Sequence, residues 1–540
     1  MTISSILTQS NVLVIDDFQG MRTMLREFVK AMGSTKIDTA ANGREAMNYL
    51  RSNSYDIVIC DFNLGPGQNG QQVLDEARLF DYIGVSTIWV MVTAEKTTDM
   101  VMGAVEAKPD DYLLKPISQL LLETRLEKLM LRKQSLSGIE VAMKSKDFNL
   151  ALALCDEQLQ AKTGSPQEIL RIKSDLLLTL GELDAARTLF ETVLKQRSVP
   201  WAKTGLGRIL FQRADFAGAA AMFQQVLNEN RMFLEASDWL VKCLEAMGQA
   251  EHAQQVLMAA VRLSPNSPAR QKALGDTAYR NGAMDIAEAA FEKNISISEF
   301  SPHKNVGAFA GLARVLLESD SPLKALKVLE HAKSVFKGNA EAAIQTMAVE
   351  SAVYVELGET EKAQSALAHA EQLFGELRGK VSSEAAIQLA QSMLELGVKD
   401  KAFELMCDVV KNNPDSVVVS RQIEVVCEKA QLGAEGLALI KESRLEITNI
   451  NNQGVLLAKE GDLLGAVKLL RIANVSMPKN DTITSNLCGL LLGLIGKQGP
   501  DETLIKEVRD LIDQGRLLNP ANKKYLSYAS ELSRIENTGF

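Results

Sequence analysis

Acidic side chains follow short apolar runs at two places near the start of the chain. Asp16 and Asp17 come directly after Val12 to Ile15, and Asp61 comes directly after Ile57 to Cys60. Such continuous apolar runs favour strands that are buried on both faces of a sheet. Two neighbouring carboxylates resist joint ionisation unless a positive charge lies between them. The pair therefore indicates a cation site, and the alternative is that Asp17 caps the helix that follows.

Two further apolar runs also end in polar residues. Thr87 to Val92 is followed by Thr93, and Tyr112 to Leu114 is followed by Lys115 and Pro116. The helical patterns between the four runs cover Met21 to Met32, Gly43 to Arg51, Gln71 to Phe80 and Thr98 to Ala107. Strands that alternate with helices through short links predict a doubly wound parallel sheet. The polar residues would then share the carboxyl edge of the sheet, where such folds bind ligands.

Three carboxylates, a hydroxyl and a lysine at one edge could carry out phosphoryl transfer. Asp16, Asp17 and Asp61 offer the hard oxygen ligands that Mg²⁺ prefers. Asp61 could also attack phosphorus and become an acyl phosphate. Lys115 and the metal ion would neutralise charge on the transferred group. The Thr93 hydroxyl could hydrogen-bond the oxygens of the new phosphoryl group.

Residues 10 to 133 resemble the receiver domain of bacterial two-component response regulators. The motifs that carry the resemblance are Asp16-Asp17, Asp61, Thr93-Ala94 and Lys115-Pro116. The resemblance implies a flavodoxin-like α/β fold with five parallel strands and a phosphoacceptor role for Asp61. It also implies that Asp17 binds Mg²⁺ directly and Asp16 partly through water. Asn63 would supply a backbone carbonyl to the same ion.

Tyr112 and two departures from the family pattern bear on how this receiver works. Tyr112 lies three residues before Lys115, where the family has its switch aromatic, and the alternative is a half-buried strand tyrosine. The loop DFNLGPGQNG, Asp61 to Gly70, looks one residue longer than the family loop. It is either a tolerated insertion or a shape fitted to a partner. Lys108 and Pro109 stand where many relatives have Gly-Ala, which stiffens the link before the last strand.

A Gly or polar residue that is followed five positions later by alanine recurs within helical hairpin patterns through the rest of the chain. The motifs begin at Lys146, Gly181, Ala214, Gly248, Gly282, Asp320, Gly358, Gly397 and Gly461. The last interval has room for a degenerate unit near Gly433. Residues 139 to 535 thus resemble a tetratricopeptide (TPR) repeat array, which implies an all-α solenoid with a protein- or peptide-binding groove. The alternative is an α-solenoid without a groove ligand.

Composition narrows the class of protein. The net charge of −9 and the pI near 5.4 argue against bulk affinity for nucleic acid. The six cysteines are scattered and form no Cys-x-x-Cys motif, which favours a reducing compartment and argues against a disulfide framework or zinc site. No apolar segment approaches the ~20 residues that span a membrane, and the N-terminus lacks a basic signal-peptide region. We therefore expect a cytoplasmic protein without membrane insertion.

The receiver and the array together predict a response regulator of a phosphorelay. A histidine kinase or phosphotransfer protein would phosphorylate Asp61, and this would switch the protein interactions of the array. We expect no enzyme activity beyond the phosphorylation and dephosphorylation of Asp61 itself, where Glu95 and Asn63 could tune the attacking water. The alternative is a phosphatase-like regulator that stimulates dephosphorylation of a partner. A transcriptional regulator is disfavoured because we find no basic recognition helix.

The join between the two domains has no Gly/Ser-rich or Pro-rich linker. The last receiver helix, about Ser118 to Arg132, could therefore run almost directly into the first repeat. A short join of this kind could transmit a shift in the receiver to the array, which a flexible linker would not do. The last receiver helices or the array could also form a homodimer.

Overall fold

The N-terminal part of the chain is built on a five-stranded parallel sheet. The computed structural model describes residues 9–84, 86–94, 109–377, 380–499 and 501–538. The strand order is β2-β1-β3-β4-β5, with bounds Asn11–Ile15 (β1), Lys36–Ala40 (β2), Ile57–Asp61 (β3), Ile88–Thr93 (β4) and Asp111–Leu114 (β5). This arrangement confirms the predicted flavodoxin-like fold. Glu95 and the predicted helix Thr98 to Ala107 lie outside the described residues.

Helices cover both faces of this sheet. Their bounds are Gln19–Ala31 (α1), Gly43–Ser52 (α2), Gly70–Leu79 (α3) and Gln119–Lys144 (α4). Alternate residues of β1 enter opposite apolar clusters, Leu13 and Ile15 on one face and Val12 and Val14 on the other. Because both faces are buried, the central strands need apolar residues at almost every position. This requirement explains the continuous runs in the sequence.

Two details of the receiver differ from the sequence predictions. The N-cap of α1 is Phe18, so the alternative reading of Asp17 as a helix cap is wrong. The residues of β2, Lys36–Ala40, were not identified as a strand from the sequence. This edge strand is mostly half-buried or exposed, and three of its five residues, Lys36, Asp38 and Thr39, are polar, so it forms no apolar run.

Helix α4 belongs to both parts of the chain. It runs without interruption for 26 residues. Its first half packs on the sheet through Leu122, Leu126 and Leu129. Its second half packs on the next helix through Leu136 and Ile139. The join that the sequence predicted to be short is therefore a single continuous helix.

The rest of the described chain is helical and divides near residue 305 into two compact units. The helices after α4 in the first unit are Phe148–Ala161 (α5), Pro166–Thr179 (α6), Leu183–Gln196 (α7), Pro200–Gln212 (α8), Phe216–Glu229 (α9), Leu234–Ala246 (α10), Ala250–Leu263 (α11), Pro268–Arg280 (α12) and Met284–Ile297 (α13). Short segments at 179–183 and 242–250 group with the second unit. Among the residues described, no helix combines the length and apolar character needed to cross a bilayer.

The second unit continues the helical pattern. Its helices are Val306–Glu318 (α14), Pro322–Val335 (α15), Ala340–Glu356 (α16), Thr360–Glu376 (α17), Ser383–Glu395 (α18), Lys399–Asn412 (α19), Val417–Lys429 (α20), Gly433–Lys459 (α21), Leu463–Ser476 (α22), Asp481–Gln498 (α23), Glu502–Leu518 (α24) and Lys524–Thr538 (α25). Like α4, the 27-residue α21 is long enough to serve two successive hairpins, because it packs against both α20 and α22. The predicted all-α solenoid of TPR type agrees with this succession of helical hairpins.

The recurring sequence motif has a direct structural cause. Its first residue takes a left-handed backbone conformation in each turn: Lys146, Gly181, Ala214, Gly248, Gly282, Asp320, Gly358, Gly397, Gln431 and Gly461. The alanines five positions after the predicted motif starts are fully buried: Ala151, Ala186, Ala219, Ala253, Ala287, Ala325, Ala363, Ala402 and Ala466. In the degenerate unit Gly436 takes this place, and a Cβ atom there would lie 2.6 Å from the Cβ of Cys427. Small residues thus let the paired helices approach closely.

This close approach predicts that a larger side chain at a motif alanine destabilises the array. Ala287→Leu should lower the free energy of unfolding by about 1–3 kcal/mol, because the buried site has no room for three more carbon atoms. Ala289→Leu, at an exposed position of the same helix, is the matched control and should change it little. Chemical denaturation followed by circular dichroism would measure both. Equal effects of the two variants would contradict the explanation of the motif.

Candidate functional site

A lysine bridges two carboxylates at the carboxyl edge of the sheet. Asp16 follows β1, Asp61 ends β3 and Lys115 follows β5. The Nζ atom of Lys115 donates to Oδ2 of Asp16 at 2.8 Å and to Oδ2 of Asp61 at 2.7 Å. Asp16 is fully buried and Asp61 is 7% exposed. The positive charge that two close carboxylates require is therefore supplied by the chain itself.

Asp17 completes a set of three carboxylates. One carboxylate oxygen from each of Asp16, Asp17 and Asp61 lies within 4.8 Å of the others. Oδ1 of Asp16 also accepts a hydrogen bond from the amide of Phe18 at 2.9 Å, so both of its oxygens are engaged. Asp17 is exposed to solvent instead. One lysine does not neutralise three carboxylates, so the site has a surplus of negative charge. The three carboxylates also offer the hard oxygen donors that suit Mg²⁺.

Burial and hydrogen bonding shift the protonation equilibria of the site. Burial raises the pKa of Asp61, and its hydrogen bond with Lys115 opposes this shift. Burial alone would lower the pKa of Lys115, but its hydrogen bonds to Asp16 and Asp61 outweigh this and raise it. Burial also raises the pKa of the Cys60 thiol well above its usual value. Lys115 is therefore charged at neutral pH, whereas the adjacent thiol is neutral and a poor competitor for electrophiles.

Thr93 lies on β4, the strand beside Asp61, and Tyr112 lies on β5, the next strand out. Asp61 is paired with Val92 in the sheet, so Thr93 follows directly at the end of β4, where it is 3% exposed. The carbonyl of Thr93 accepts from the amide of Lys115 at 2.7 Å, and the Lys115–Pro116 peptide bond is cis. The half-buried Tyr112 is paired with Met91 and packs on the apolar cluster that contains it. The switch role of Tyr112 stays a prediction.

Arg22 is a site residue that the sequence did not single out. Its Nη1 atom donates to the backbone carbonyls of Asp16 at 2.6 Å and Asp17 at 3.0 Å. It thereby fixes the turn between β1 and α1 and adds a positive charge near the carboxylates. A basic residue in the first turn of α1 was the available signal, but exposed arginines in helices are too common for the position alone to identify one.

Backbone hydrogen bonds hold both ends of the loop Asp61 to Gly70 next to the site. The amide of Phe62 donates to Val92 and the amide of Gly70 donates to Phe62, both at 2.8 Å. A Cβ atom on Gly70 would lie 2.1 Å from the Asp61 carbonyl oxygen, so only glycine fits there. The side-chain oxygen of Asn63 accepts from the Gly65 amide at 3.2 Å. Whether the Asn63 carbonyl binds a metal ion stays a prediction.

Comparisons with known proteins match both parts of the chain. The family model described as a response regulator receiver domain matches residues 12–127. Two family models described as tetratricopeptide repeats match residues 173–234 and 210–276. The receiver match lies within the predicted 10–133, and the repeat matches lie within the predicted 139–535.

Relatives of known identity resemble about one fifth of the chain. The chemotaxis protein CheY of Pseudomonas aeruginosa is 30% identical over 121 residues, which are 22% of this chain and 96% of CheY. The chemotaxis protein CheY-3 of Vibrio cholerae is 27% identical over 121 residues, 22% of this chain and 92% of that protein. The solved structure of the response regulator TrrA of Thermotoga maritima, in complex with Mg²⁺–BeF, is 30% identical with a TM-score of 0.20, covering 22% of this chain and 99% of that one.

The close approach of Gly70 to Asp61 predicts that Gly70→Ala disturbs the site. The added methyl group must push α3 away from the Asp61 carbonyl, because 2.1 Å is far below a van der Waals contact. We expect a loss of more than about 1 kcal/mol of stability and weaker Mg²⁺ binding. Gly84→Ala is the control, since a Cβ atom there meets nothing closer than 3.7 Å. Thermal unfolding and calorimetric Mg²⁺ titration would measure both variants, and a wild-type-like Gly70→Ala protein would refute this account.

The surplus of negative charge predicts opposite effects of Asp17→Asn with and without Mg²⁺. Without the ion, the substitution should raise the melting temperature because it removes repulsion among three carboxylates. With Mg²⁺ at about 100 times its Kd, the wild type should gain about 2.7 kcal/mol that the variant does not gain. Glu27→Gln removes one exposed negative charge on α1 and should preserve the wild-type response. Equal Mg²⁺ stabilisation of wild type and Asp17→Asn would rule out a metal site at Asp17.

Proposed function

The chain belongs to the response regulator family, with a receiver domain followed by tetratricopeptide repeats, and we propose that it is a phosphorelay adaptor. Phosphorylation of Asp61 by a histidine kinase or a phosphotransfer protein would switch the protein interactions of the array. The observation that carries this proposal is the contact of Lys115 with both Asp16 and Asp61. It places a fixed cation beside the carboxylate that would accept the phosphoryl group.

The chemistry at Asp61 follows from its position. A carboxylate oxygen of Asp61 would attack the phosphorus of a phosphohistidine, the P–N bond would break, and the imidazole would leave with the bonding electrons. The product is an acyl phosphate on Asp61. Lys115 lies 2.7 Å from the attacking carboxylate and would neutralise charge that accumulates on the phosphoryl oxygens. The buried Thr93 hydroxyl at the end of β4 would hydrogen-bond one of those oxygens.

The same carboxylates would hold the metal ion that receivers use. Asp17 and Asp61 would bind Mg²⁺ directly, Asp16 partly through water, and Asn63 through its backbone carbonyl. The engagement of both Asp16 oxygens by Lys115 and Phe18 supports this division of roles. When bound, Mg²⁺ would neutralise charge on the transferring group. We propose no catalytic activity of this chain beyond the chemistry at Asp61.

The repeat array would be the part of the chain whose protein interactions respond to phosphorylation. Repeats of this kind bury one face of each hairpin against the next and leave an extended concave surface for a protein or peptide. A rearrangement at Thr93 and Tyr112 after phosphorylation would be the first step toward the array. The receiver is joined to the array through the continuous helix α4, which supports direct transmission of such a change. We place the protein in the cytoplasm, where histidine kinases and phosphotransfer proteins act.

Phosphorylation with a small donor tests this proposal. Acetyl phosphate and Mg²⁺ should add one phosphoryl group to the wild type, detected by intact mass, and none to Asp61→Asn, which lacks the nucleophilic oxygen. Glu27→Gln should label like the wild type because its charge lies on the exposed side of α1. A pulldown with labelled and unlabelled protein should then recover different partners. Absence of labelling would refute the proposal, and labelling without a change of partners would refute the switch.

A further inference from the structure

The receiver contacts the array a few residues after Asp61. The side-chain amide of Gln68 donates to the carbonyl of Phe300 at 3.1 Å. The side-chain amide of Gln72 donates to the carbonyl of Ile297, also at 3.1 Å. Gln68 lies in the loop Asp61 to Gly70, and Gln72 lies in the first turn of α3. Both glutamines thus reach the segment 297–304, which begins at the last residue of α13.

The C-terminal end of α13 is suited to such donors. Ile297 is the last residue of α13, and the last four carbonyls of an α-helix have no partner within the helix. These carbonyls also carry the partial negative charge of the helix dipole, which favours N–H donors over carboxylates. The uncharged Gln72 amide satisfies one of these carbonyls, that of Ile297, and the Gln68 amide satisfies the Phe300 carbonyl three residues beyond the helix. The Gln72 contact is therefore a helix cap whose donor comes from another domain, and the Gln68 contact holds the segment that follows the helix.

Gln72 is tied to the backbone that leads back to Asp61. Gln72 accepts from the amide of Asn69 at 3.1 Å through its side-chain oxygen, and the Asn69 side chain accepts from the Gln72 amide at 2.9 Å. Gly70, between these residues, packs against the Asp61 carbonyl and donates to Phe62. A shift of the backbone at Asp61 must therefore displace the start of α3. The side-chain amide of Gln72 moves with it.

A cleft of about 920 Å³ connects the contact with the acidic site. Its receiver wall includes Asp17 and residues 64–68, and its array wall includes Glu299, Phe300 and Lys304. Of the three carboxylates, Asp17 lines this cleft, so the cleft extends from the acidic site to segment 297–304. Phosphorylation replaces the single negative charge of the Asp61 carboxylate with a phosphoryl group that carries about −1.5 to −2 and has three strong acceptor oxygens.

We propose that segment 297–304 is an internal docking site for the loop Asp61 to Gly70, and that phosphorylation of Asp61 weakens this docking. The inference rests on the proposed function, since it needs Asp61 to be phosphorylated. Each amide contact is worth about a two- to tenfold factor in the docking equilibrium. Two such contacts hold the loop in the unmodified protein but are weak enough for one phosphoryl group to release. Release frees the end of α13 and the receiver surface that covers it.

Hydrogen–deuterium exchange of the full chain measures the docking directly. The amides of Ser298, Glu299 and Ser301 make local hydrogen bonds at the end of α13, so their exchange reports on its fraying. We expect these amides to exchange about fivefold faster or more in wild type treated with acetyl phosphate and Mg²⁺. Asp61→Asn under the same conditions should show no change. The intact mass of the same samples establishes whether Asp61 is phosphorylated.

Two variants should reproduce the released state without phosphorylation. Gln72→Glu keeps the acceptor oxygen for Asn69 but places a carboxylate, which has no N–H donor, against the end of α13. Gln68→Ala removes the other donor without adding charge. Gln71→Glu adds the same charge at the neighbouring position of α3 and is the matched control. Both test variants should speed exchange of segment 297–304, and phosphorylation should add little further.

The outcomes separate this inference from the proposed function. If the wild type is labelled but exchange of segment 297–304 does not change, docking is not controlled by phosphorylation and the inference fails alone. Exchange that is slower after labelling would overturn it as well, because phosphorylation would then strengthen the contact. If Gln72→Glu and Gln68→Ala exchange like Gln71→Glu, the two amides do not hold the segment. Absence of labelling would overturn the proposed function and this inference together.

Discussion

One lysine between two buried carboxylates constrains the whole N-terminal domain. Lys115 supplies the positive charge between the buried carboxylates of Asp16 and Asp61, and these three residues follow or end three different strands. The strands must therefore run parallel and end at the same edge. The helices on both faces exclude water from the strands and hold them there. The site and the sheet thus depend on the same charge contact.

Much of the fold and of the site could be predicted from the sequence because burial on both faces leaves a strong signal. The runs before Asp16, Asp61, Thr93 and Lys115 are continuous and apolar, so the strands and the residues at their ends could be located together. β2 lacked this signal because an edge strand with one open side tolerates polar residues. Arg22 could not be identified, since its contacts are to backbone carbonyls that any residue presents.

The array was predictable for a different physical reason. Each hairpin needs a left-handed turn residue and a small residue five positions later. Glycines and alanines therefore recur in the sequence with the period of the repeat. The same rule explains the degenerate unit, where Gln431 takes the turn and Gly436 the close contact. The contacts of Gln68 and Gln72 had no such pattern. These hydrogen bonds join residues that are far apart in the sequence, and a local periodic pattern does not predict such contacts.

The shared helix α4 also limits how the two domains can be recombined. An α-helix turns by about 100° and rises 1.5 Å with each residue. One residue inserted between Leu129 and Leu136 would rotate the apolar stripe that packs on the array by about 100° relative to the stripe that packs on the sheet. Insertions of about seven, eleven or eighteen residues would restore the phase to within about 20°. Exchange of receivers between such proteins, by recombination or by design, therefore has to preserve helical phase as well as sequence.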